Sequence, residues 1–245
     1  MAIAFSENTN KTGICEQTRF LMGVDSNQWP TSRIVNSCNN YLDLITGYAI
    51  GADRKFKWDD TNQTALPEGT ITMTSGQSDY SFLTDQQGNA ILTLTRIDML
   101  LPDGITWTQL DLVDQEDPMF QGMGLKQFAP TNARPQFYDK IADNIIRLYA
   151  TPNYTSTNGL KFYFQRTASY FAGTDTTKAP GVSPLLHRGF IIASAYDGAL
   201  TLGLPNLGSL GVEMQKETQK MITYFSDRNK DDYNQVLSEA KFSFR

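Results

Sequence analysis

The chain has 245 residues, 40% of them hydrophobic and 19% charged, and a net charge of −5. A chain of this length can bury roughly three quarters of its unfolded surface, so one domain or two small ones are expected, and the ordinary hydrophobic and slightly low charged content argues for a folded protein rather than a disordered one. No basic cluster offsets the acidic balance, which argues against tight phosphate contact by the chain as a whole.

Met1, Ala2, Ile3, Ala4 and Phe5 form too short an apolar run, without a basic flank, to be a signal peptide. Residues 12–22 are expected to form a short helix with Ile14, Cys15, Phe20 and Leu21 as its apolar residues. A clearer helix follows Trp29 and Pro30. Thr31 or Ser32 caps it, Ile34, Val35, Cys38, Leu42, Ile45 and Ala49 recur along one side, Tyr41, Leu44 and Tyr48 broaden that stripe, and Gly51 is the expected stop. Cys15 and Cys38, the only cysteines, fall in these two helices and read as buried free thiols.

From Lys55 the period changes from helical to alternating. Ile71 and Met73, Tyr80 and Phe82, residues 91–97, Ile105 and Trp107, residues 145–149 and residues 160–166 make short β-branched and aromatic runs. Turn chemistry such as Pro67-Glu68-Gly69, Pro102-Asp103-Gly104 and Thr157-Asn158-Gly159 separates them, as in a small antiparallel sandwich or barrel. Residues 118–138, with Pro130 and Pro135, read as a long irregular excursion.

Residues 180–229 read as two helices. Pro180-Gly181 turns the chain, Ser183 caps the first helix, and Leu185, Leu186, Phe190, Ile192, Ala193, Ala195, Tyr196 and Ala199 give it an apolar arc wide enough to be covered on more than one side. Gly203 and Pro205 end it. Asn206 or Ser209 caps the next, which buries Leu210, Met214, Met221, Tyr224 and Phe225 and turns Glu213, Lys216, Glu217 and Lys220 outward with alternating sign. Asp231-Asp232 breaks from this helix. The residues beyond, with Tyr233, Phe242, Phe244 and Arg245, suit an arm that docks on a neighbour by adding a strand. No apolar stretch approaches the roughly 20 residues of a membrane span, since Asp197 cuts the longest.

The expected fold is α+β. A helical bundle is built from the N- and C-terminal segments, an antiparallel β-sandwich or barrel is inserted, and a C-terminal arm extends from it. The expected boundaries are 1–53, 54–175, 176–230 and 231–245.

Catalytic chemistry finds few footholds. His187 is the only histidine, expected at the surface or in a cap, so a histidine dyad or an ordinary zinc site has no second member. Gly203 and Gly208 have the spacing of a phosphate loop, but Ser209-Leu210 stands where lysine and a hydroxyl residue are required. Asp111, Asp114, Glu116 and Asp117 lack the alternation of a calcium loop and read as a solvated acidic turn. No catalytic, cofactor or metal residue is expected, and the chain reads as a non-enzyme.

The order of segments is more specific than any motif. A helical start and a β-rich middle lead to the strand Phe162-Tyr163-Phe164-Gln165-Arg166 and a loop with Thr174, Asp175, Thr176 and Thr177. Pro184-Leu185-Leu186-His187 then opens an Ala-rich helix, and an acidic–basic helix ends Tyr224-Phe225-Ser226-Asp227-Arg228-Asn229. This resembles the adaptor (head–tail connector) proteins of tailed bacteriophages, most strongly over residues 160–229. The resemblance implies a virion protein made in the host cytoplasm, assembled as a ring of about twelve copies between the portal and the tail or nozzle proteins. It also implies that double-stranded DNA passes through without being gripped. Glu213, Lys216, Glu217, Lys220, Tyr233, Phe242, Phe244 and Arg245 are the candidate contacts with copies and partners. The alternative is another tail or fibre module whose β-domain binds a protein or glycan. A carboxylate glycan hydrolase stands third.

Overall fold

A computed structural model describes residues 3–7, 9–52, 67–85, 88–113 and 133–233. The chain is mixed α+β and divides into two compact units, residues 1–64 with 168–245 and residues 65–167.

The first unit takes its helices from both parts of the chain: α1 (Ile14–Met22), α2 (Thr31–Ala52), α3 (His187–Leu202) and α4 (Leu207–Tyr233). They share one core, because each presents an apolar stripe that no single helix can bury alone. From α2 come Ile34, Cys38, Leu42, Ile45 and Ala49; from α3 Phe190, Ile191, Ala193, Ala195 and Ala199; from α4 Leu210, Met221 and Phe225. As its wide arc predicts, α3 packs against α1, α2 and α4. It ends at Gly203, whose φ of 64° is left-handed and open to glycine at little cost.

The first residues are part of this core. Phe5 is fully buried and stacks on Phe171, with ring centroids 4.8 Å apart. Its N–H donates to the Lys178 carbonyl at 2.7 Å, and the carbonyls of Ala4 and Phe5 accept the N–H groups of Ile14 and Cys15 at 3.0 Å each. These bonds satisfy two of the orphan donors that open α1, where Gly13 supplies no side-chain cap. Asn39 of α2 fixes the strap that precedes α3. Its amide nitrogen donates to the Phe171 carbonyl at 3.0 Å and its oxygen accepts the Phe171 N–H at 2.9 Å.

The second unit holds two four-stranded sheets. One has the order β1 (Glu68–Met73), β8 (Ser156–Arg166), β3 (Ile91–Leu100), β4 (Trp107–Gln109) and is antiparallel throughout. The other runs β2 (Asp79–Ser81), β7 (Ile145–Tyr149), β6 (Phe137–Ala142), β5 (Asp111–Leu112). Ile97, Met99, Leu160, Phe162 and Phe164 of the first sheet meet Tyr80, Tyr138, Ile146 and Leu148 of the second in one apolar cluster. Phe162 stacks on Phe82 at 5.4 Å.

Several expectations are corrected. The sheets do not close into a barrel, since each keeps two edge strands. The pairing is not wholly antiparallel: the chain crosses between sheets at Leu110, and β5 enters parallel to β6. Phe137 and Tyr138, placed in an irregular excursion on account of the nearby prolines, begin β6. The boundary expected at 175 falls at 167, because Ala168 and Phe171 belong to the helical core. α2 ends at Ala52, one residue past the stop expected at Gly51. Asp231 and Asp232 do not break α4, which continues to Tyr233; neither residue opposes a helix as proline does. The rest of the expected arm, like the strand expected from Lys55, lies outside the described residues.

Candidate interface on the helical unit

α3 is buried around nearly its whole circumference, and Arg188 is the one exposed residue between His187 and Ala195. Gly189 beside it lets α2 approach, since a Cβ there would collide with the Tyr41 hydroxyl. Arg188 reaches α4, where its Nη2 donates to Glu213 Oε2 at 3.3 Å and its Nε lies 3.8 Å from Glu217 Oε1. Each carboxylate has a second cation one turn on. Lys216 Nζ is 2.7 Å from Glu213, and Lys220 Nζ is 3.4 Å from Glu217. Four of the residues predicted from sequence thus form one network, joined by an arginine that the sequence reading missed. Its signal was a charge at the start of a helix that carries no other until Asp197.

The hydrogen bond and charge of Lys216 hold the Glu213 carboxyl below its ordinary range. Burial, then the charge of Glu217, pushes the Tyr41 hydroxyl up to about 12. Of the other predicted contacts, Tyr233 is the last residue of α4, while Phe242, Phe244 and Arg245 lie outside the described residues.

His187 is neither at the surface nor in a solvated cap. It is fully buried, the Ile3 N–H donates to its Nδ1 at 3.1 Å, and its Nε2 lies 3.0 Å from the Val182 carbonyl. Nδ1 must therefore be the bare nitrogen, and Nε2 carries the proton it gives to Val182. Burial holds the ring's pKa below the ordinary value, against the pull of the Val182 and Pro180 carbonyls. The unfolded chain therefore takes up the proton first, from about pH 6.5 downward. Stability is complete above that pH and falls as pH drops from there through the lower folded value, by at most about 1.4 kcal/mol per pH unit. Urea midpoints between pH 7.5 and 5 should show this decline, and His187→Gln should flatten it. Parallel curves for the two proteins would refute it.

Other chemistry is sparse. Cys15 and Cys38 are free and buried; burial pushes the Cys15 thiol up to about 12 and raises that of Cys38 as well, which suits inert core groups. Asp111 begins β5, and Asp114, Glu116 and Asp117 lie outside the described residues. Among the described residues no group of three or more His, Cys, Asp or Glu could hold a metal ion, and no helix is long and apolar enough to cross a membrane. No protein-family model matches this sequence, and no curated protein does.

Proposed function

We propose that the chain is a structural adaptor of the bacteriophage head–tail junction, a non-enzymatic virion protein. Its copies form a ring that joins portal to tail and lets double-stranded DNA pass. The observation that carries this reading is the helical unit assembled from both parts of the chain around an inserted β unit. In this view the four helices act as a bundle that meets copies and portal, and the two sheets act as a sandwich that receives the tail. Each unit has a core of its own, so each can present a rigid surface to a different partner. A closed ring needs two unlike, complementary surfaces on each subunit, which the face of α3 and α4 can begin to supply. The acidic balance suits a lumen that DNA slides through.

The mass of the purified protein, alone and with a portal ring, tests this. The expected result is a closed oligomer of many copies, formed alone or on the portal. A single-subunit mass under both conditions would sink the assignment.

One observation favours the second reading, a tail or fibre module that binds a glycan. On the sheet face opposite the core, Lys161 Nζ lies 4.9 Å from the centre of the Trp107 ring, and the Arg96 guanidinium lies 5.4 Å from that of Tyr163. Aromatic rings flanked by fixed polar groups can stack on sugars. Retention on a glycan array, with loss on Trp107→Ala, would favour that reading over the adaptor.

A further inference from the structure

The seam between α1 and α3 is not wholly apolar. Among the described residues, Thr18 Oγ1, Ser194 Oγ and Trp29 Nε1 have no hydrogen-bond partner, although Thr18 and Ser194 are 0% and Trp29 is 4% exposed. An unmet hydrogen bond in a core costs stability, so such atoms are rare. The two helices run parallel. At one end the Ile3 N–H donates to His187, which begins α3, and the neighbouring Ala4 carbonyl accepts the N–H of Ile14, which begins α1. At the other end the side-chain amide of Asn206, just past α3, donates to the Leu21 carbonyl at 3.0 Å. A Cβ on Gly198 would collide with the Met22 side chain, so these two residues lie directly against each other. Thr18 stands one turn before Met22 and Ser194 one turn before Gly198, which sets the two hydroxyls across the seam from one another. The same Cβ would lie 3.1 Å from Trp29 Cε2, the ring atom bonded to Nε1. Elsewhere in this unit Thr46 and Thr201 turn their hydroxyls back onto the Leu42 and Asp197 carbonyls, at 2.8 Å each. Thr18 and Ser194 do not, and they do not bond each other.

We propose that this seam is a binding site for one internal water molecule, which bridges Thr18 Oγ1 and Ser194 Oγ and takes the Trp29 N–H as its third partner. Buried waters typically hold about three hydrogen bonds to groups of this kind. Each hydroxyl can donate or accept and the indole only donates, so the three bonds form without conflict. The set carries no charge and includes a group that cannot accept, which suits a neutral molecule rather than a metal ion. The water gives the contact a register that apolar packing alone lacks. Sliding α1 along α3 by one turn would part the hydroxyls by about 5.4 Å and leave both unmet. The site is independent of the adaptor assignment.

A crystal structure of the full chain is expected to show a solvent peak within about 3.0 Å of both hydroxyl oxygens. Thr18→Val and Ser194→Ala test the same site by the sign of their effect on urea unfolding. A hydroxyl bonded to water stabilises the fold, so each variant should unfold at lower urea, with the folded-to-unfolded ratio reduced about fivefold or more. A hydroxyl buried without a partner is a cost, so its loss would hold the midpoint or raise it. Alanine is the better helix former, so a fall at Ser194→Ala does not come from helix propensity. The double variant should lose less than the two single losses combined, because the first substitution already weakens the hold on the water. Density without the solvent peak overturns the proposal, and so does a midpoint that holds or rises in both single variants. Neither result touches the adaptor assignment, which the mass measurement decides.

Discussion

Replacing Asp85 by alanine is expected to destabilise the protein by about 3–5 kcal/mol, the cost of removing one partner from a buried ion pair. Asp85 Oδ2 lies 3.0 Å from Arg166 Nη1, and the two side chains are only 2% and 6% exposed. The carboxylate also accepts the Asn89 N–H at 2.7 Å and the Asn89 side-chain amide at 3.0 Å, so it closes its own turn as it holds the end of β8. Alanine deprives the Arg166 guanidinium of this carboxylate and opens the turn. Asp85→Ala with Arg166→Met should recover much of the loss, because an apolar pair needs no counter-charge. Urea unfolding followed by circular dichroism checks both. A single-variant loss below about 1 kcal/mol would mean that water reaches the pair.

Phe5→Ala is expected to cost a similar amount, about 3–5 kcal/mol, as for other fully buried aromatic rings. The ring fills space against Phe171, and the backbone on either side of it caps α1. Loosening this segment should therefore also speed hydrogen exchange at the Ile14 and Cys15 amides, which a purely local cavity would leave slow. Thermal unfolding together with exchange measured peptide by peptide separates the two. An unfolding loss below about 1 kcal/mol would show that these first residues add nothing to the core.

The helices were legible because their apolar residues recur at helical spacing; Ile34, Cys38, Tyr41, Leu42, Ile45 and Ala49 of α2 are buried, whereas Leu44 and Tyr48, expected to broaden that stripe, and Phe20 and Leu21 of α1 are exposed. Strands β3, β7 and β8 were legible from alternation. β6 was not, since its Phe137-Tyr138-Asp139-Lys140-Ile141-Ala142 alternates poorly and follows prolines that argue for a loop. The Asp85–Arg166 pair was half visible. Arg166 continues the inward register of Leu160, Phe162 and Phe164, and a charge at an inward position calls for a counter-charge. Nothing local named Asp85 as that counter-charge. The importance of Phe5 was hidden for the same reason: its partners Phe171 and Lys178 are more than 160 residues away along the chain. At the candidate site, the α4 charges were readable from helical spacing, whereas Arg188 needed the tertiary arrangement to reveal its partners.

The two units differ in when they can be completed during synthesis. Residues 65–167 are contiguous and can close as soon as they leave the ribosome. The helical unit has to wait for His187 to emerge and meet Ile3, 184 positions earlier. A β unit already folded in between shortens the effective loop to be closed, and with it the entropic cost of bringing those residues together. Until then α1 and α2 have no α3 to cover them, and their apolar residues stay open to unwanted contacts while the β unit is being made.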